Sequence, residues 1–239
     1  MREIVITKNT KVVPKLSVCA YGASGSGKTE FAATWPNPLF LSAGTENGWD
    51  TIRSLVSVRP EKLYNPAVMP LVWVLDEPAD MMKKLKEIPE LIKSKSIKTI
   101  VVDSITFYAR MYKVFLEQRM KSANGWDIYA ALQSHIENMQ LVLHGFDVNI
   151  VWLALDREGH EKRAAGPLIE GSSSKYIPAS CSQLLYARSY SINDELKYEL
   201  HLKPFGGQPV KCRVYAKDPI SSLLNPTYRS FVEALGFEL

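Results

Sequence analysis

YGASGSGKTEFAATWPNPLFLSAGTENGWD, residues 21–50, is the stretch on which the reading of this chain turns. Its first part, Gly22-Ala23-Ser24-Gly25-Ser26-Gly27-Lys28-Thr29, satisfies the spacing GxxxxGK[ST]. Glycines let the backbone turn its N–H groups inward, and a helix that follows adds positive potential at its N-terminus, so the loop can close around phosphate. Lys28 then reaches the terminal phosphates, the Thr29 hydroxyl can ligate Mg²⁺, and Glu30 closes the candidate nucleotide loop. The flanks support this. Residues 16–21 read as a buried strand, and residues 28–34 read as a helix stopped by Trp35-Pro36-Asn37-Pro38. A glycine turn that merely precedes a lysine needs neither neighbour.

Working outward, strands alternate with helical patterns. Residues 39–42 form a second strand, residues 48–56 a helix, residues 72–75 a strand, and Asp76-Glu77-Pro78 supplies start signals for a helix over 79–94. The β-branched run 100–102 ends in Asp103. Two long helices come next, one striped by Ile105, Ala109, Tyr112 and Leu116 and the other by Ile128, Leu132, Ile136, Met139 and Leu143. Residues 149–154 give another central strand. This alternation predicts an α/β fold, a mostly parallel twisted sheet flanked by helices. After a polar stretch over 156–174, the segments 184–190, 196–202 and 210–215 predict antiparallel strands at the C-terminal edge.

Composition narrows the class further. A chain of 239 residues, 46% hydrophobic and 23% charged, can bury one sizeable core, so a single domain over 1–239 is expected. A formal net charge of +4 permits a polyanionic partner without requiring one. Cys19, Cys181 and Cys212 are odd in number, far apart and without a CxxC spacing, which argues against a disulfide framework or a zinc site and for a reducing, cytoplasmic compartment. No apolar run approaches the length of a membrane span or a leader, so no membrane association is expected.

A phosphate cradle needs a metal anchor and, for hydrolysis, a group to activate water. Thr99-Ile100-Val101-Val102-Asp103 places a carboxylate at a strand end, where Asp103 can hold a Mg²⁺-bound water beside Thr29. Glu46, just beyond the strand over 39–42, is placed to overhang the terminal phosphate and polarise an attacking water.

Together these residues resemble the RecA-like P-loop ATPases, and more closely the phage nucleotide-binding proteins that include RecA-like single-strand annealing proteins. The likeness rests on YGASGSGKTEFAATWPNPLFL, on Glu46 in TEN, on IKTIVVDSITFYARM, on NIVWLAL, and on Lys211-Cys212-Arg213 followed by NPTYRSFVEALG. It departs from that pattern at Ser42 and Gly44, where a second acidic residue is common, and at Leu155, where a phosphate-sensing polar residue is common. The resemblance implies ATP and Mg²⁺ as cofactors, ATP hydrolysis stimulated by DNA, and a cytoplasmic phage protein in recombination or strand annealing. It also implies a ring or filament of identical subunits, in which Lys211 and Arg213, two apart on a predicted strand and so on one face, either complete a neighbour's catalytic site or are simply exposed strand charges that discourage edge-to-edge aggregation.

Such proteins bind single-stranded DNA through segments after the core strands. Here Arg119, Lys121 and Trp126 form one candidate set, and Arg157, Lys162, Arg163, Lys175 and Tyr176 form another in a glycine- and serine-rich loop. Cations neutralise phosphates and aromatics stack on bases. The same residues could instead be an ordinary solvated loop. Two other functions stay open: a P-loop kinase with the stretch 157–163 as its lid, and a nucleotide-dependent scaffold without appreciable turnover.

Overall fold

The computed structural model describes residues 13–159, 164–214 and 220–239. Among them the order is β1 (Ser17–Tyr21), α1 (Lys28–Ala33), β2 (Pro38–Ala43), α2 (Gly48–Val58), β3 (Leu71–Leu75), α3 (Pro78–Ser94), β4 (Thr99–Asp103), α4 (Ile105–Arg119), α5 (Gly125–Gly145) and β5 (Asn149–Arg157). The second half adds β6 (Gly166–Leu168), α6 (Ser173–Ser180), β7 (Gln183–Ile192), β8 (Glu195–His201), β9 (Lys211–Cys212), β10 (Ser222–Leu224) and α7 (Tyr228–Ala234). The strands run β10-β8-β7-β1-β5-β4-β2-β3, with β6 beside β5 and β9 beside β7. The stretch from β3 to β7 is parallel throughout.

Alternation along the strands sorts the side chains to two faces. Cys19, Leu39, Leu41, Ile100, Val102, Ile150 and Trp152 pack under α3, α4, α5 and α6. Val18, Ala20, Phe40, Val101, Val151 and Leu153 pack under α1, α2 and α7. Because both faces are covered, the central strands are apolar on both sides, which is why they read as continuous hydrophobic runs. On the α1 side Trp35, Phe31, Tyr228 and Phe231 make an aromatic cluster, with Phe31 and Phe231 edge to face at 5.7 Å between ring centres. Thr34 fixes α7 to it by accepting the Tyr228 N–H at 2.7 Å.

Three differences from the sequence reading matter. β7 pairs with β8 in antiparallel fashion, yet on its other edge it runs parallel to β1, with Cys19 opposite Leu184. It is a core strand that flanks the phosphate loop, because its Gln183–Ala187 half is buried like a central strand. The expected strand over 210–215 shrinks to β9, and Tyr215 lies outside the described residues. The polar stretch 156–174 contains the end of β5, all of β6 and the start of α6. Among the described residues no helix is long and apolar enough to cross a membrane.

Candidate functional site

β1 ends at Tyr21, and the chain turns at once into the loop: the Gly22 N–H donates to Ala154 O at 3.3 Å, and α1 starts at Lys28. Any side chain at Gly27 is strained, for two independent reasons. Its φ is +82°, and a Cβ there would lie 2.7 Å from the Tyr198 ring. Lys28 is buried; its ammonium donates to Gly22 O and Ala23 O, each at 2.8 Å, and to Ser26 Oγ at 3.1 Å. Burial lowers its pKa, while the carboxylates of Asp103, Glu46 and Asp156 raise it. Lys28 is therefore not a solvated loop side chain. It is a largely dehydrated cation held by weak neutral acceptors, a receptor for a stronger anion.

Beside it, Thr29 Oγ1 donates to Asp103 Oδ2 at 3.0 Å, and Glu46 Oε2 accepts the Ser104 N–H at 2.8 Å. Burial, and then the Glu46 charge, push the Asp103 carboxyl up to about 7 against the pull of Thr29 and Lys28. Ser42, opposite Asp103 in the β2–β4 register, has a buried hydroxyl with no hydrogen-bond partner among the described residues. A hydroxyl, a buried carboxylate and an unused hydroxyl in one place fit Mg²⁺ with its bound waters. The cleft above them measures about 250 Å³, and Ser24, Thr29, Glu46, Leu155 and Tyr198 are among its walls. It opens at the carboxyl ends of the parallel strands, where α/β sheets bind ligands.

The profile of the AAA domain family matches residues 14–208. The chain belongs to the AAA domain family. A P-loop domain of this family binds nucleotide, usually with Mg²⁺. No curated protein was found to match the chain.

Within this AAA domain the expected site residues fall into three groups. Ser24, Gly25, Ser26, Gly27, Lys28, Thr29 and Glu46 wall the cleft, with Asp103 below them joined to Thr29. Gly22 and Ala23 contribute through their carbonyls on Lys28. Glu30 also borders the cleft, but its carboxylate is paired with Arg59 and Lys62, each at 2.8 Å, so it braces α1 against the end of α2.

The second group lies apart from the cleft. Lys211 donates to Pro178 O and Ala179 O, and Arg213 donates to Ala179 O at 3.0 Å. Both therefore hold the C-terminal carbonyls of α6, and the expected pair on one strand face is corrected because β9 ends at Cys212.

The candidate DNA residues form the third group and do not share one loop. Arg119 ends α4, Lys121 is exposed in the following turn, and Trp126, 85% exposed, stands on the first turn of α5. Arg157 ends β5 and donates to Ala164 O, while Lys175 and Tyr176 are exposed on α6. Lys162 and Arg163 lie outside the described residues. The turn before α6 nonetheless approaches the start of α5, since a Cβ at Gly171 would meet the Tyr129 ring at 3.5 Å.

Sequence reasoning missed Tyr198 and Ser104. Tyr198 sits on β8, beyond the motif by some 170 positions, and nothing local marks it as a wall of the cleft. Ser104 acts through its backbone N–H, which no residue type can advertise.

Proposed function

We propose that this chain binds ATP with Mg²⁺, hydrolyses it slowly, and uses the cycle to handle single-stranded DNA in recombination or strand annealing of the phage RecA-like kind. The observation that carries the hydrolytic part is the Glu46 carboxylate, held by the Ser104 N–H next to the Thr29–Asp103 pair. A carboxylate fixed at the mouth of a phosphate cradle can orient a water and take its proton. Lys28 neutralises charge on the terminal phosphates, and the loop N–H groups orient them. Mg²⁺, held through Thr29 and by way of water through Asp103, would offset charge on the phosphate oxygens. Tyr198, which also lines the cleft, would contact the rest of the nucleotide.

Leu155 lines the cleft and cannot hydrogen-bond a phosphate, which supports slow turnover. The DNA part is supported by exposed Trp126 and Tyr176 with Arg119, Lys121 and Lys175, on segments that meet near Gly171. A subunit ring or filament, and completion of a neighbour's site by Lys211 and Arg213, belong to the same reading.

Two variants separate binding from cutting. Lys28→Ala should abolish measurable binding of a fluorescent ATP analogue. Glu46→Gln keeps size and hydrogen bonding but takes no proton, so turnover should fall about 100-fold or more while the analogue still binds. Unchanged turnover in Glu46→Gln would move catalysis elsewhere, and tight binding by Lys28→Ala would defeat the cradle.

A further inference from the structure

Residues 103–106 hydrogen-bond to three residues that line the cleft, Thr29, Glu46 and Leu155. Asp103 takes the Thr29 hydroxyl and Ser104 holds Glu46. Thr106, two residues on, does something different: its hydroxyl accepts the Leu155 N–H at 2.9 Å and donates to Leu168 O at 2.6 Å. Leu155 and Leu168 are already opposite one another in the β5–β6 pair, so one hydroxyl joins both strands to α4.

The position explains the need. β5 outruns its neighbours: pairing with β4 stops at Trp152 and pairing with β1 at Ala154. From Leu155 onward its paired strand is β6, and the Thr106 hydroxyl bridges the Leu155 N–H and the Leu168 carbonyl of that pair. Leu155 is a wall of the cleft, but its side chain carries no polar atom. A polar connection from cleft to surface must therefore pass through its backbone. Leu168 leads directly to buried Ile169, to Glu170 facing Lys113 at 3.9 Å, and to α6, whose buried Ile177 fixes it while Lys175 and Tyr176 face out.

We propose that Thr106 is a positioning residue that couples occupancy of the cleft to the placement of β6 and α6. Movement of Leu155 against a bound phosphate is passed by the Thr106 hydroxyl to Leu168, and by Leu168 to the helix that presents Lys175 and Tyr176. Thr106 touches neither phosphate nor metal site; it acts through the strand end. The inference rests on the reading of the cleft as a nucleotide site.

The test is amide hydrogen exchange over residues 166–180, with and without a slowly hydrolysed ATP analogue and Mg²⁺, in wild type, Thr106→Val and Thr106→Ser. Binding of a fluorescent analogue is measured on the same proteins. In wild type, nucleotide should slow exchange there by about fivefold, the factor one net hydrogen bond supplies. Thr106→Val should bind nucleotide within about twofold of wild type yet lose that response, and Thr106→Ser, which keeps the hydroxyl, should restore it. Thr106→Ala serves in place of valine if that variant does not fold. A response that survives in Thr106→Val, a serine variant that fails to restore it, or a wild type that binds nucleotide without any response would each overturn the coupling. A wild type that binds no nucleotide would instead overturn the reading of the cleft, and the coupling with it.

Discussion

Asp103 meets two opposed demands, burial against the sheet and a negative charge for the metal. Its carboxyl keeps a proton up to about 7 when folded, whereas an unfolded aspartate loses it near 3.8. The folded state thus binds the extra proton between those values, and its stability falls as pH rises from about 4 through 7. Asp103→Asn carries no such loss, so without divalent ions it should be the more stable protein at pH 8, by up to about 4 kcal/mol, with the gap closing near pH 4. Urea titrations at both pH values would check this; a wild type that gains on the variant as pH rises contradicts it. Gly27→Ala makes a second expectation. A positive φ and the Tyr198 ring both oppose the methyl, so about 1–3 kcal/mol of stability should be lost, together with affinity for nucleotide. At this scale the motif residues were legible because glycine, lysine and threonine are chemically particular. The pairing of Glu30 was not legible because its partners, Arg59 and Lys62, arrive only when α2 folds back.

Helix α6 went unseen in the sequence because Ser172-Ser173-Ser174 and Pro178 are poor helix signals. Its stability comes instead from buried Ile177 and from Lys211 and Arg213 on its last carbonyls. Replacing both cations by alanine should raise amide exchange over residues 173–181 by about 30-fold, at roughly 1 kcal/mol for each of the two bond sets lost. If the pair serves mainly in a neighbouring subunit, exchange will stay put and only the rise of activity with protein concentration will disappear. Between α4 and α5, Tyr108 Oη lies 2.6 Å from His135 Nε2, and Tyr112 stacks on the same imidazole at 3.7 Å. Burial lowers the His135 pKa to about 4. The sign here is opposite to that at Asp103. An unfolded histidine takes its proton near 6.5, so this contribution is complete above that value and is lost as pH falls toward 4. The stability advantage of wild type over His135→Leu should narrow between pH 7 and pH 4.5 in a urea series; a gap that widens on acidification would reject the buried neutral imidazole. The two long helices themselves were plain in the sequence, since their apolar stripes repeat at the helical period.

Across the whole molecule, binding to an oligothymidine should weaken steeply with added salt, and Lys175→Ala should shallow that slope by about 0.7 if it contacts one phosphate. Trp126→Ala should weaken binding about 5- to 150-fold with little change in slope, the signature of a lost stack. No binding at low salt with ATP and Mg²⁺ present would remove DNA as the partner. The parallel core was legible because strands covered on both faces advertise themselves as apolar runs. The placement of β7 was not, because an antiparallel hairpin partner and a parallel core neighbour leave the same alternating trace. That placement has a consequence for how the chain comes to exist. Ala187 O presses on Gly22 so closely that a Cβ there would lie 1.9 Å away, and Cys19 pairs with Leu184. The phosphate loop is therefore walled by residues synthesised some 165 positions after it. At translation rates of roughly 5–20 residues per second, the emerging loop waits roughly 8 to 33 seconds for its second wall. During that interval β1 has an open edge, and ATP has no finished cradle to stabilise. A ribosome-stalled chain ending before Gln183 should accordingly bind no nucleotide, and one extended past His201 with its exit-tunnel allowance should.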